Sequence, residues 1–464
     1  MLDPARYQQF TSALRGKVID STHPEYESAR RIYNAMIDRH PRMIVRCADV
    51  ADVIAAVNYA RETETLISIR GGGHNGAGLC TSDDSLCIDL SGIKYVHVDP
   101  IEKTVRVGAG CTWADVDHAT QAFGLAVPSG TISTTGVSGL TLGGGHGYLT
   151  RKYGLTIDNL LGADVVLANG SVVTADAKHN PDLFWAIRGG GGNFGVVTSF
   201  LFRAHPVSQL FAGVTLWHID QAAERLRWYA DFLPKQSEDL YGFFAFLNVP
   251  PGPPFPEQLH GKNMCAVVWA YLGSSDTVDQ TFQPIVQSPH PAFQMLGPMP
   301  YAVLQSMFDP LMPPGLQWYW KGDFVNEITD EAIGQYVKYG SSLPSQLSTS
   351  HIYPIDGAVR RVPPEATAWG YRDATYSMVM AGIDPDPASA PRLKEWATKF
   401  WEAAHPYSAG GAYINFMMEE GDERVKATYR GNYDRLVEIK NKYDPDNLFR
   451  RNQNIKPTVA KTLA

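Results

Sequence analysis

"SIRGGGHNGAG", residues 68–78, follows the apolar run Leu66–Ile69 and sets three consecutive glycines before a histidine. Gly71, Gly73 and Gly76 satisfy G-x-G-x-x-G, the spacing of dinucleotide-binding turns, and an apolar strand precedes them as that motif requires. The fingerprint also needs a helix opening on its last glycine, so that the helix amides meet a pyrophosphate. Residues 79–92, "LCTSDDSLCIDLSG", are instead polar and then strand-like, with no helical period. An ordinary Rossmann turn is therefore not expected, and His74 needs its own explanation.

The 464 residues are too many for one hydrophobic core, so two or three domains are expected. A 44% hydrophobic and 11% aromatic composition supplies ample core material for a globular protein. The formal net charge of -8 argues against nucleic acid or an anionic membrane surface as the main partner. "MLDPARYQQF" (1–10) has neither a basic n-region nor an apolar h-region, and no run of 18 apolar residues occurs. A cytoplasmic protein without a membrane span is the expectation. Cys47, Cys80, Cys87, Cys111 and Cys265 are scattered and form no C-x-x-C pair, which predicts reduced, buried thiols rather than a zinc or dithiol site. Oligomeric state is not legible.

Residues 41–208 read as alternating strands and helices rich in glycine. Asp49 can cap a helix carrying Val53, Ile54, Val57 and Ala60, and "KYVHV" and "KTVRVGAG" flank a hairpin turn. Thr112 and Asp115 form a capping box for a helix closed by Gly124. Asn169-Gly170-Ser171 matches a glycosylation sequon, but lying between "DVVL" and "SVVT" it reads as a tight hairpin turn. From 209 glycine thins and aromatics gather, as in "GLQWYWKGDF" (315–324), and "NVPPGPPFPEQ" (248–258) reads as a surface loop. The C-terminal portion holds a helix over 433–442, stopped by Asp444-Pro445, and an extended tail.

Four glycine-bearing segments lie in the first half, at 71–78, 128–130, 136–147 and 189–195. Such loops admit close backbone approach and present amides in anion-binding concavities, so several of them suggest one extended ligand. Tight turns in a strand-rich domain are the alternative. Gly190, Gly192 and Gly195 repeat the dinucleotide spacing, yet the strand-like "VVTSFLF" comes next, so a nicotinamide-dinucleotide reductase is disfavoured. His74 is either an exposed loop histidine or a reactive neutral imidazole. His97, His118, His146 and His179 fall in unrelated contexts, so no metal is expected, and "GVSGL" misses the G-x-S-x-G elbow.

"RGGGHN" (70–75), "TTGVSGLTLGGGHGYLTRKYGLTIDN" (134–159), "DLFWAIRGGGGNFGVVT" (182–198), "AYINF" (412–416) and "NYDRLVEIKNKYDPDNLFRRNQNIKP" (432–457) together resemble the berberine-bridge-enzyme-like flavoproteins of the vanillyl-alcohol-oxidase superfamily. In compact length the chain is similar to the microbial 6-hydroxy-D-nicotine oxidase type. The resemblance implies an α+β architecture: a PCMH-type, two-subdomain FAD-binding domain at 37–208, a substrate domain on an antiparallel sheet at 209–410, and a segment at 411–458 returning to the flavin. It implies FAD bound covalently through His74. Where many relatives carry a second, cysteinyl tether, Ile132 stands in "ISTTG" (132–136), so a single bond is expected.

By the same resemblance Arg70, Gly71, Gly72, Gly73, Asn75, Gly76, Ser129, Gly130, Thr134, Gly136 and Gly139 contact the cofactor. So do Gly143, Gly144, Gly145, Gly147, Gly195, Val197, Asn415 and Asn452. Tyr413, in the Y-x-N motif, is the expected general base, and it would need a basic surrounding to lower a phenol pKa of ~10. Packing on the flavin ring is its alternative role. His351, Tyr353, Arg372 and Trp320 are expected at the substrate wall. The implied reaction is two-electron oxidation of a C–O or C–N bond in a small molecule (an alcohol, sugar, phenol or amine), with O2 reduced to H2O2. A dehydrogenase of the same fold using another acceptor is the alternative, and a flavin carrier without turnover a more distant one.

Overall fold

The computed structural model describes residues 4–287 and 290–458. In the first unit a four-stranded sheet runs in the order Lys17–Asp20, Met43–Arg46, Leu86–Asp89, Ile67–Arg70, with the last three strands parallel. Lys17–Asp20 pairs with Met43–Arg46, so the sheet of this unit draws on residues before 37, the start that the resemblance implies. A five-stranded antiparallel sheet lies beside it, ordered Val96–Asp99, Thr104–Gly108, Val196–Arg203, Leu160–Val166, Val172–Asp176. Both glycine fingerprints lead into strands and not helices.

Local signals set these elements. The Asp49 carboxylate accepts from the amides of Ala51 and Asp52 at the start of helix Val50–Glu62. At the start of helix Trp113–Gln121, Asp115 Oδ2 accepts from the Thr112 amide at 2.7 Å and from its hydroxyl at 3.0 Å, the Asp115 half of the capping box. Gly170 adopts φ +81° in the turn joining two antiparallel strands, as the Asn-Gly pair predicts. Val57, Trp113, Val116, Leu183 and Phe200 meet in one core between the two sheets.

The second unit is a seven-stranded antiparallel sheet ordered Phe293–Pro300, Gln209–His218, Asn263–Tyr271, Leu240–Asn248, Thr349–Pro354, Tyr376–Asp384, Gln317–Val325. Helices Ala222–Phe232, Asp330–Gly340 and Ala390–Ala404 cover one face through Leu226, Tyr229, Tyr336 and Phe400. The other face turns toward the first unit. No helix among the described residues is long and apolar enough to cross a membrane.

After the sheet the chain re-enters the first core: Tyr429, Leu436, Ile439 and Phe449 pack there. Helix Tyr433–Tyr443 ends at a wholly buried ion pair, Lys440 Nζ to Asp444 Oδ2 at 2.6 Å. Lys440 also donates to the carbonyls of Asn193 (2.7 Å) and Phe449 (3.0 Å), which fastens the C-terminal segment to the 189–195 glycine loop. Removing one partner leaves the other charge buried and alone, which costs roughly 3–5 kcal/mol. Lys440→Met should lower stability by about that amount in chemical denaturation; a loss below ~1 kcal/mol would show that the pair is dispensable.

Candidate active site

A cavity of about 1120 Å³ lies between the first unit and the free face of the seven-stranded sheet. Its walls come from residues 71–75, 130–146, 191–197, 413–416 and 451–453 on one side and from alternate residues of the sheet strands on the other. Gly72 and Gly136 touch main chain to main chain; a Cβ on either would overlap the other's backbone. At Gly139 and Gly192, both on the cavity wall, a Cβ would meet nothing within 4 Å. These positions leave open space where a ligand can approach the chain.

His74 faces this space. Its ring stacks on Tyr33 with centroids 3.9 Å apart, and its Nε2 lies 3.3 Å from Thr134 Oγ1. Burial lowers its pKa to about 4, so the imidazole is neutral at neutral pH. Ile132 also lines the cavity. Cys80 reaches the wall too, which its sequence position did not suggest, but burial raises its pKa to about 12 and keeps it a thiol.

Tyr413 lies among the rings of His146, Phe416 and Trp369, at centroid distances of 4.8, 4.9 and 5.3 Å. Its hydroxyl oxygen accepts from Gly145 N at 3.1 Å and from Asn415 Nδ2 at 2.7 Å. The same Nδ2 donates to Gly139 O at 3.2 Å, which fixes the orientation of the amide. Burial raises the phenol's pKa, and the hydrogen bonds from Asn415 and Gly145 oppose it. The basic surrounding expected for this tyrosine is not what the structure provides: two neutral donors stand in its place.

Of the other anticipated residues, Gly71, Gly72, Gly73, Asn75, Gly130, Gly136, Gly139 and Gly143 line the cavity. Gly195, Val197, Asn415, Asn452, His351, Tyr353 and Trp320 do so as well. Asn452 donates to Gly192 O at 3.1 Å and keeps a buried Oδ1 without a partner, as does Arg451 its Nε. Several expectations fail on position. Arg70 turns away to Asp89 (2.8 Å) and Ala29 O (2.6 Å), and its role is to brace the sheet. Arg372 pairs with both oxygens of Asp158 at 2.8 Å and is no part of the substrate wall. Ser129 is held by Gln305 at 2.6 Å, and Thr134 reaches the site only through His74. Gly76 packs under Trp320, Gly144 against Trp369, Gly145 against Thr156 and Gly147 against the Ser129 carbonyl. Their lack of a side chain serves protein packing, not ligand approach.

Three contributors escaped the sequence reading. Tyr33 and Asn34 lie outside every motif; Asn34 Nδ2 ties Gly76 O (2.7 Å) to Trp318 O (2.9 Å). His146, neutral through burial with a pKa of about 3, lies on the cavity wall and bonds Ser377 Oγ at 3.1 Å. "GGGH" at 143–146 repeats "GGGH" at 71–74, a signal that could have singled it out.

Residues 41–176 match the family model described as FAD binding domain, and residues 412–456 the one described as berberine and berberine like. An FAD-linked oxidoreductase of Dictyostelium discoideum is 30% identical over 452 residues, covering 97% of this chain and 96% of that one. (R)-6-hydroxynicotine oxidase of Paenarthrobacter nicotinovorans is 27% identical, covering 96% and 97%. Wild-type BBE-like 1 of Physcomitrella patens superimposes with a TM-score of 0.87 at 25% identity, over 98% of this chain and 99% of that one. The residues present fit an FAD: open space at Gly139 and Gly192, unpartnered polar atoms at Arg451 and Asn452, and a neutral histidine share one elongated cavity.

Two glycine substitutions separate ligand space from packing. Gly192→Val should fold with unchanged circular dichroism yet carry at least about tenfold less FAD, because its side chain enters the cavity. Gly144→Ala, at φ +128° and against Trp369, should instead lose on the order of 2–4 kcal/mol of stability. Normal flavin loading in Gly192→Val would remove that position from the cofactor's path.

Proposed function

The chain belongs to the berberine-bridge-like FAD-linked oxidoreductases, and on that premise we propose that it is an oxidase, taking two electrons from a C–O or C–N bond of a small organic molecule and delivering them to O2 as H2O2. Bound FAD supplies the acceptance of those electrons from the substrate carbon and their return to oxygen. The observation that carries the reading is that His74 and the Tyr413/Asn415 pair, from two remote parts of the chain, line one cavity that opens onto the substrate sheet.

His74 is suited to hold the cofactor covalently. A neutral imidazole offers one lone pair; Nε2 donating its proton to Thr134 Oγ1 would leave that lone pair on Nδ1, for the cofactor. Tyr33 stacked beneath the ring holds its orientation. Attachment is single in this reading, since Ile132 has no nucleophile and Cys80 remains protonated. Asn452 and Asn415 would hold polar edges of the cofactor, and the wall glycines would give it room.

Tyr413 is the proposed proton acceptor. The two donors aimed at its oxygen are placed to hold negative charge there, so a phenolate formed in the reactive complex has partners already in position. Burial works against that ionisation, and the phenol's proton must pass to solvent before the oxygen can take one from substrate.

Acid-precipitated protein should stay yellow, and His74→Ala should release its colour to the supernatant; a tryptic digest should carry one flavin adduct, on the His74 peptide. A colourless wild-type pellet or a cysteinyl adduct would overturn the attachment. Tyr413→Phe should keep its flavin while flavin reduction slows by roughly 10²–10⁴-fold, the usual worth of a general base. Reduction within a few-fold of wild type would move the role elsewhere. Aerobic peroxide release during turnover checks the acceptor, and flavin reduction without peroxide would identify a dehydrogenase.

A further inference from the structure

Successive residues of a strand point to opposite faces, so the seven-stranded sheet offers every second residue to the cavity. On that face Leu216, Phe243, Val268, Trp320 and Val379 are apolar, and Met307 and the proline-rich loop over 249–255 extend the wall. Among the described residues that line the cavity none is aspartate, glutamate or lysine; Arg451, the one guanidinium, lies beside Asn452 and the 189–195 glycine loop.

Asn248, His260, Gln346 and Ser348 add polar groups to the lining, and one strand sets a polar column within the apolar face. Thr349–Pro354 contributes Thr349, His351 and Tyr353, and their hydrogen bonds have a fixed polarity. Thr349 Oγ1 donates its one proton to Phe246 O at 2.7 Å. At its 2.8 Å contact with His351 Nε2 the hydroxyl must therefore accept, and Nε2 carries the ring proton. Nδ1 is left with a lone pair and accepts from the Tyr353 hydroxyl at 2.6 Å. With that proton committed, the Tyr353 oxygen can only accept from anything in the cavity; Thr131 lends a hydroxyl to the same oxygen. Burial lowers the His351 pKa to about 4, which preserves this polarity at neutral pH.

We propose that this half of the cavity takes a neutral, largely apolar alcohol whose hydroxyl donates its hydrogen bond to the Tyr353 oxygen while it is bound and turns to Tyr413 when its proton is taken, and that it discriminates against ammonium ions and oligosaccharides. The inference rests on the oxidoreductase reading above in treating the sheet side of the cavity as the substrate's place. An ammonium ion would be desolvated against a wall with no carboxylate to meet it. An oligosaccharide would bury many hydroxyls against a face on which Leu216, Phe243, Val268 and Val379 offer no partner. His351 acts here as a positioning residue, holding the Tyr353 proton away from the substrate.

The test uses the flavin-loaded protein without oxygen, following perturbation of the bound flavin spectrum for binding and its bleaching for reduction. The probes are 4-methyl-, 4-propyl- and 4-pentylbenzyl alcohol, the matching benzylammonium ions, the matching 4-alkyltoluenes, and cellobiose. Alcohol affinity should rise by up to about fourfold per added methylene, with the ammonium ions and cellobiose at least about tenfold weaker. In Tyr353→Phe the alcohols should weaken about five- to tenfold while the toluenes stay within about twofold; a purely structural role would weaken both together. Affinity independent of chain length, or cellobiose binding as tightly as the pentyl alcohol, would overturn the proposal whether or not Tyr353→Phe folds. Cellobiose binding tightly and bleaching the flavin would do so while leaving the oxidoreductase reading intact. Alcohols binding in the expected order without any bleaching would support the substrate class and count against the oxidase reading.

Discussion

At Gly72 and Gly136 two loops from different parts of the first unit meet main chain to main chain, with no room for a methyl group between them. That contact sets the loop carrying His74 against the loop carrying Ile132 and Thr134. The second loop is itself anchored: Val137 N bonds Cys111 O at 2.9 Å and Trp113 N bonds Thr135 O at 3.0 Å, at the start of the helix that the capping box defines. His74 is thereby positioned by backbone, not by side chains that could relax. Tyr33 stacked on one side and Thr134 at Nε2 then settle the ring's plane.

The electrostatics of the cavity come from burial. His74, His146 and His351 all have pKa values lowered by desolvation, and Tyr353 and Tyr413 have theirs raised, so each is neutral at rest. Hydrogen-bond direction then distinguishes groups that charge does not. The Tyr413 oxygen receives two donors, whereas the Tyr353 hydroxyl donates to His351 Nδ1. The two tyrosines, on opposite sides of the cavity, thus differ in hydrogen-bond polarity. The surrounding apolar sheet face strengthens both by excluding water.

Fixing the site also requires the chain's end to return. Asn193, in the second glycine loop, accepts from the Ile455 amide at 2.9 Å and donates to Gln453 O at 3.1 Å, while its carbonyl receives Lys440. Asn452, next along the same tail, reaches Gly192 O. The loop is therefore held from the C-terminal side, and Tyr413 and Asn415 arrive on the cavity with that segment.

What the sequence determined by itself was local or repeated in pattern. Asp49 and the Thr112–Asp115 pair mark helix starts because a cap is satisfied within three residues. Asn169-Gly170 marks a hairpin because its turn needs a left-handed residue, and the strands after both glycine runs excluded a Rossmann turn. His74, framed by glycines after a strand, was legible for the same reason. Tertiary structure alone decided which glycines face ligand space and which face Trp369 or Thr156, since a missing side chain looks the same in either case. It also decided that Arg70 and Arg372 are consumed by Asp89 and Asp158, partners 19 and 214 residues away. Tyr33 and Asn34 had no signal at all, because Asn34 acts on Trp318 across 284 residues. The sheet strands are apolar on both faces, so alternation could not reveal which residues line the cavity; only packing of helices on one face left the other, with Tyr353 and His351, to the site.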